Sequence, residues 1–525
     1  MTAITPSAPP LDRFTAIGEL IRSHAAQQPA RLALVDGPTQ LDYAALDALM
    51  DRIAASLQRD GVQPGDVIAL CAATSARYAA VFLGALRAGV AVAPLAPGGS
   101  ADSLAAMLRD AQPRAVFIDA LAVDALAVDA TASIEVPRCI SLDGVAPGIA
   151  FDDWLLPAGS RPQPVAVQPD WPFNIIYSSG TTGTPKGIVQ SHAMRWSHIV
   201  RGAQYGYDPD TVALLATPLY SNTTLVVFFP ALAFGGRVVL MPKFDAAGYL
   251  ALAEQQRVTH TMLVPVQYQR IMDVADFERH ALGSFRFKFC TSAPFAAALK
   301  ADVLRRWPGG LVEFYGMTEG GGTCILEAHA HPDKLHTVGR PAAGHDMRLI
   351  DDDGRELPPG ATGEVVGRSP GMMTGYHRQP EKTREAEWFD AQGQRFIRTG
   401  DIGRFDDDAF LVLLDRKKDM LISGGFNLYP SDLEAVLRGH AAVADVAVVG
   451  VPSASWGETP VAFVVRRTGN TTGADELRHW MNARVGKTQR LADLQFISEL
   501  PRSAIGKVLK RELRDGYAAS RAEVE

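Results

Sequence analysis

Residues 177–192 read YSSGTTGTPKGIVQSH, and eight of the first eleven are Ser, Thr or Gly around a single lysine, Lys186. Glycines free the backbone for unusual φ/ψ, hydroxyls donate hydrogen bonds, and the lysine supplies charge. Together they can wrap the oxygens of a polyphosphate. A P-loop does the same work, but it ends in Gly-Lys-Ser/Thr at the start of a helix. Counted from Gly180, the second glycine position holds Pro185 and the residue after Lys186 is Gly187, so that pattern fails twice. A GxGxxG fingerprint cannot be laid on the segment either. A flexible linker would share the composition. However, the apolar, β-prone FNIIY (173–177) and GIVQ (187–190) pin both ends as strands, with a helix start expected near Ser191.

Further segments carry groups of matching chemistry. FYGMTE (314–319) places Tyr315, Thr318 and Glu319 within five residues. An aromatic ring can stack on a purine, a hydroxyl can reach a phosphate, and a carboxylate suits Mg2+, which prefers oxygen ligands. Read alone, such residues are more often packing and surface. RTGD (398–401), DRKKDMLISGGFNLYPSDLE (415–434) and PRSAIGKVLKREL (501–513) follow in order.

The five segments in this order resemble the adenylate-forming superfamily: acyl- and aryl-CoA synthetases, nonribosomal-peptide adenylation domains and firefly luciferase, with the acyl-CoA synthetases nearest. The resemblance covers the chain from residue 177 to its end. It implies an enzyme that uses ATP, Mg2+ and coenzyme A as an AMP-forming acid–thiol ligase. Ser178, Ser179, Gly180, Thr181, Thr182, Gly183, Thr184 and Lys186 are then the phosphate loop. Tyr315 and Gly316 lie at the adenine with Ser292, Ala293 and Pro294, Thr318 contacts the α-phosphate, and Glu319 holds the metal. Asp401 and Arg416 are the ribose contacts, Lys418 the hinge, and Gly424–Gly425 the turn that approaches the pantetheine arm. Lys507, expected at a helix start, is the lysine that bridges the attacking carboxylate and the α-phosphate. Thr318, Glu319 and Lys507 are thus the catalytic set.

The chain departs from the family it resembles at TPLYSNTT (217–224): many members carry an aromatic-His pair where Tyr220 and Ser221 stand, so that histidine is absent. The Phe-Asp pair of amino-acid adenylation domains is also missing, which disfavours an amino-acid substrate. Gly320, Gly321 and Gly322 after Glu319 are read as leaving room for an acyl chain, with Tyr220, Ser221 and Val264 among the walls. The expected substrate is a medium-sized aliphatic, alicyclic or aromatic carboxylic acid. Two alternatives stay open: acyl transfer to a separate carrier protein, and a dicarboxylate held by Arg195, His198 or Arg201.

These groups need a scaffold. At 525 residues the chain exceeds the roughly 250–300 residues at which single cores stop growing. Helical periodicity alternates with short β-rich runs such as VIALCAA (67–73) and RAVFIDA (114–120), the texture of an α/β fold with a parallel sheet. FRFKFC (285–290) alternates with period two and reads as a half-exposed strand. The expected layout is a disordered tail (1–12), a large α/β domain (13–415) with a small β-rich subdomain at about 340–415, and a small mobile α+β domain (416–525). Ser431 and Glu434 read as a capping box opening a helix of that last domain.

A net charge of −7 argues against a general nucleic-acid binder. The four cysteines are scattered without a CxxC pair, which points to a reducing compartment and the cytoplasm. No signal peptide is recognised, and the longest apolar run, LVVFFPALAFGG (225–236), is broken by Pro230 and two glycines, so no membrane span is expected. A homodimer is left open as the assembly.

Overall fold

The computed structural model describes residues 11–126, 138–178, 185–423, 426–453, 457–503 and 506–522. The fold is mixed α/β, with a large N-terminal part and a small C-terminal domain. Two compact units emerge from its internal contacts. The first contains residues up to Leu335 together with Pro341–Asp346 and Gly367–Ile397. The second contains His336–Arg340, Met347–Val366 and Arg398–Glu525.

The first unit holds two large sheets. One runs in the order Gly375–Tyr376, Lys186–Ser191, Pro172–Ser178, Ala91–Leu95, Val67–Cys71, Val116–Ile118, Cys139–Ser141, Ile149–Ala150. From Pro172–Ser178 onward its neighbours are parallel. The two strands around the Gly/Ser/Thr segment are antiparallel and paired from Pro172↔Ser191 to Ser178↔Lys186. The second sheet passes through Thr323–Glu327, Gly310–Gly316, Phe287–Cys290, His260–Leu263, Val212–Leu215, Arg237–Leu240 and Leu32–Asp36. The five inner strands are mutually parallel. Their near-continuous apolar runs, such as VALL and HTML, are what a sheet covered on both faces demands.

Residues 225–233 of the run LVVFFPALAFGG fall in the helix Asn222–Ala233, which keeps Pro230 in its last turn and is buried on nearly every side. Its all-round apolar character fits a core helix. Among the described residues no helix is long and apolar enough to cross a membrane. The FRFKFC strand is more buried than its alternation predicts. Lys288 has no exposed surface, and its ammonium donates to the carbonyls of Trp307, Pro308 and Gly309 at 3.1, 2.6 and 2.7 Å. Three oxygens at the end of a long side chain satisfy the ammonium, so a polar letter here does not mark a solvent face. Burial nevertheless lowers its pKa to about 7.

Cys71, Cys290 and Cys324 are buried free thiols, and Cys139 is half-buried. Burial pushes the Cys71 thiol up to about 12 and raises the other three.

In the second unit, Val443–Ser453 pairs antiparallel with Gly457–Arg466, which pairs parallel with Asp493–Ile497. Helices Pro430–Arg438 and Ala474–Asn482 cover one face through Leu433, Leu437, Leu477 and Met481. The capping box is not formed. The first helix starts at Pro430 with Tyr429 as its cap, and Ser431 instead donates its hydroxyl to the carbonyl of Leu414. Proline is favoured at the first helical position because its missing N–H would be unpaired there anyway, and this moves the cap from Ser431 to Tyr429, two residues upstream. Glu434 accepts from the Val448 amide at 2.9 Å and pairs with Lys510 at 2.9 Å.

Candidate active site

Within the first unit, the carboxyl ends of the parallel strands gather most of the predicted residues. Tyr220 and Ser221 follow Val212–Leu215, Val264 follows His260–Leu263, Ser292–Pro294 follow Phe287–Cys290, and Tyr315 and Gly316 end Gly310–Gly316. This is the edge where α/β sheets ordinarily bind ligands. Ser221 caps the helix Asn222–Ala233 by accepting from the Thr223 amide at 3.3 Å. Thr223 Oγ1 and Ser292 Oγ lie 2.6 Å apart, tying two of these turns together. Ser292 has φ +81°, a left-handed conformation that costs a non-glycine residue roughly 1–3 kcal/mol. Such strain persists where surrounding contacts over-determine a functional turn.

The strand hairpin delivers Lys186. Ser178 ends the first strand and Lys186 opens the second; Ser179, Gly180, Thr181, Thr182, Gly183 and Thr184 lie outside the described residues. The Lys186 ammonium stands 5.1 Å from the centroid of the Tyr376 ring. Tyr376 donates its hydroxyl to Glu319 Oε1 at 2.9 Å, and the Met373 amide donates to the Glu319 carbonyl at 2.8 Å. Gln190 Nε2 donates to the carbonyl of Thr318 at 2.7 Å. Lys186, Thr318 and Glu319 are therefore brought together, with Tyr376 and Gln190 as links that sequence reasoning missed. Tyr376 sits in a two-residue strand paired with Ile188 and Val189, a long-range contact with no local signature.

The glycines after Glu319 have a different use from the one expected. A Cβ on Gly320, whose φ is +72°, would lie 1.9 Å from the carbonyl oxygen of Gly371. One on Gly321 would meet Ile397 Cβ at 2.6 Å. The space beside both is filled by neighbouring protein, so their small size serves close packing rather than an open acyl cavity.

In the second unit, Asp401 and Arg416 sit directly opposite each other on the adjacent strands Arg395–Phe405 and Leu411–Arg416. Arg416 Nε and Asp401 Oδ1 form an ion pair at 2.8 Å. The turn after Arg416 presents Lys418. Lys507 is not at a helix start, since the last helix begins at Lys510. It lies in a turn closed by Ser503, whose amide donates to the Lys507 carbonyl at 2.8 Å. A bridge between Arg502 and Val508 spans this turn and delays the helix. The Lys507 ammonium is half-buried. Burial lowers its pKa to about 8, helped by Arg416 and Lys418 and opposed by Asp401 and Asp419. Burial likewise lowers Lys418. Gly424 and Gly425 lie outside the described residues.

Glu319 fits a magnesium ligand by chemistry. It offers carboxylate oxygens, and one of them is held by Tyr376. Among the described residues, no group of three or more His, Cys, Asp or Glu could cage a metal. Mg2+ ordinarily takes one or two carboxylates and completes its shell with substrate phosphates and water.

The chain matches the AMP-binding enzyme model over residues 21–377 and the AMP-binding enzyme C-terminal domain over residues 432–507. It is 32% identical over 516 residues to an indoleacetate–CoA ligase of Aromatoleum aromaticum, covering 95% of this chain and 97% of that one. It is 33% identical over 504 residues to a feruloyl-CoA synthase of an Amycolatopsis species, covering 93% and 96%. The ATP-bound structure of MatB from Rhodopseudomonas palustris superposes with a TM-score of 0.85 at 30% identity, covering 95% of this chain and 99% of that chain. A fold shared along nearly the whole length, with two matched domain models in order, has one reading: the chain belongs to the AMP-binding enzyme family of adenylate-forming ligases.

Proposed function

We propose that this enzyme is an ATP-dependent acyl-CoA synthetase acting on a medium-sized aliphatic, alicyclic or aromatic carboxylic acid. Its reaction runs in two halves. A carboxylate oxygen attacks the α-phosphorus of ATP and the bond to pyrophosphate breaks, giving an acyl-adenylate. The thiolate of coenzyme A then attacks the acyl carbon, and AMP leaves with the bonding electron pair.

The observation that carries the reading is Lys507, a half-buried ammonium whose charged neighbours include Arg416 and Asp401. In this reading Asp401 and Arg416 hold the ribose, while Lys507 draws two anions together and stabilises charge building at phosphorus. Lys186 binds the outgoing phosphates, Tyr315 stacks on the adenine, and Thr318 reaches the α-phosphate. Magnesium, when bound, would be held by Glu319 and would offset phosphate charge. Tyr376 fixes the direction of that carboxylate by occupying Oε1. Lys418 serves as the hinge that lets the second half follow the first. The four free thiols support a reducing, cytoplasmic setting.

Separating the two halves tests this. Lys507→Ala is expected to slow adenylate formation, read as pyrophosphate release, by roughly a hundredfold or more. Thioesterification of a supplied acyl-adenylate should fall far less. Equal loss in both halves would sink the assignment of Lys507.

A further inference from the structure

The helix His192–Gly202 carries Met194, Ser197, His198 and Arg201 at i, i+3, i+4 and i+7, a single face. The early part of that face meets the candidate site. Met194 Cε lies 2.9 Å from where a Cβ on Gly320 would stand, and Ser197 Oγ lies 2.9 Å from one on Gly371. One turn further on, the Arg201 guanidinium lies 5.5 Å from the centroid of the Phe314 ring. Phe314 immediately precedes Tyr315 in the strand Gly310–Gly316, so the two side chains leave opposite faces. Arg201 and His198 therefore stand on the far side of the strand from the ring assigned to adenine.

What distinguishes this cluster is that, among the described residues, no acidic side chain is felt by His198, Arg201 or His345. Arg201 makes no ion pair or hydrogen bond through its side chain to a described residue. His198 Nδ1 and His345 Nδ1 are fully buried without hydrogen-bond partners, as is Arg195 Nη1. His198 feels Arg201, Arg195 and His345, and His345 feels Arg201. Glu327, the acidic side chain felt nearby, acts on Tyr205. Burial together with these like charges lowers both histidines, His345 to about 4. Arg201 is half-buried, and a partly buried cation without a counter-charge is costly; the unpaired buried nitrogens add to the cost. Natural proteins retain such arrangements where a ligand completes them.

We propose that the acid activated here carries a second carboxylate, at the end remote from the reacting one, held by Arg201 with His198 and His345. The proposal rests on reading the chain as an acid-activating ligase and adds the class of acid. A guanidinium offers paired N–H groups that match a carboxylate, and neutral imidazoles can donate beside it. Phe314 forms an apolar wall next to the cation, so the stretch joining the two carboxylates would be hydrocarbon or aryl.

The test compares matched pairs of acids in pyrophosphate release with ATP, Mg2+ and coenzyme A: hexanoate against adipate, and 3-phenylpropionate against 3-(4-carboxyphenyl)propionate. The diacid is expected to exceed its monoacid in kcat/KM by roughly tenfold or more in at least one pair. Arg201→Met should lower that diacid-to-monoacid ratio by roughly a hundredfold, and Arg201→Lys by less. Because the ratio is taken on one preparation, partial misfolding of a variant cancels. Monoacids winning in every pair, or a ratio unmoved by Arg201→Met, would overturn the proposal while leaving the ligase reading intact. Failure of every acid to release pyrophosphate would overturn the ligase reading itself, and this inference with it.

Discussion

The role proposed for Lys507 carries a working pH range with it. Its burial near Arg416 and Lys418 lowers its pKa to about 8, from an ordinary lysine value above 10. If the protonated form bridges the two anions, kcat/KM for adenylate formation should be flat below pH 8 and fall about tenfold per unit above it. Lys507→Arg keeps its charge across that range, so its profile should lose the alkaline limb even if its plateau is lower. A limb that stays near pH 8 in the arginine variant would assign it to another group. At this scale residue type marks candidate chemistry in the sequence, and context does not show there. Lys186, Thr318, Glu319, Asp401, Arg416 and Lys507 could be picked out from ordered motifs, because the roles proposed for them depend on residue type. Tyr376 could not, because its contact with Glu319 joins residues 57 positions apart.

At the scale of elements, the glycines after Glu319 make the same point. Their spacing reads as empty space from sequence, and only the path of residues 367–371 shows what fills it. Gly320→Ala should destabilise the first unit by about 3 kcal/mol, through a positive φ and a Cβ driven into the Gly371 carbonyl. Chemical denaturation checks this; an unchanged midpoint would mean that the 369–371 backbone yields easily. The alternating α and β texture upstream was legible because buried parallel strands leave apolar runs. Boundaries set by tertiary contact were not. The helix at Pro430 begins one residue before the apparent cap, and the last helix begins at Lys510 because the Arg502–Val508 bridge holds the preceding turn. Lys288 was misread for a similar reason, since the three carbonyls that accept its charge come from residues 307–309.

At the scale of the molecule, the two units have separate cores. One is built around Tyr43, Phe82, Phe228 and Leu215, the other around Leu437, Val448, Leu477 and Met481. Separate cores favour separate cooperative transitions. Calorimetry should resolve two, and Leu437→Ala should lower the stability behind one of them by about 3 kcal/mol while sparing the other. A single transition shifted as a whole would show that the cores melt together.

The placement of the thiols offers a way to tell these transitions apart. All four cysteines belong to the first unit, and three are sealed inside it with their thiolates suppressed. An alkylating reagent attacks the thiolate, so it should label the native chain at Cys139 alone and the denatured chain at all four positions. Counting adducts by mass at rising denaturant then gives a chemical clock for one unit. Melting of the other unit should leave the count at one.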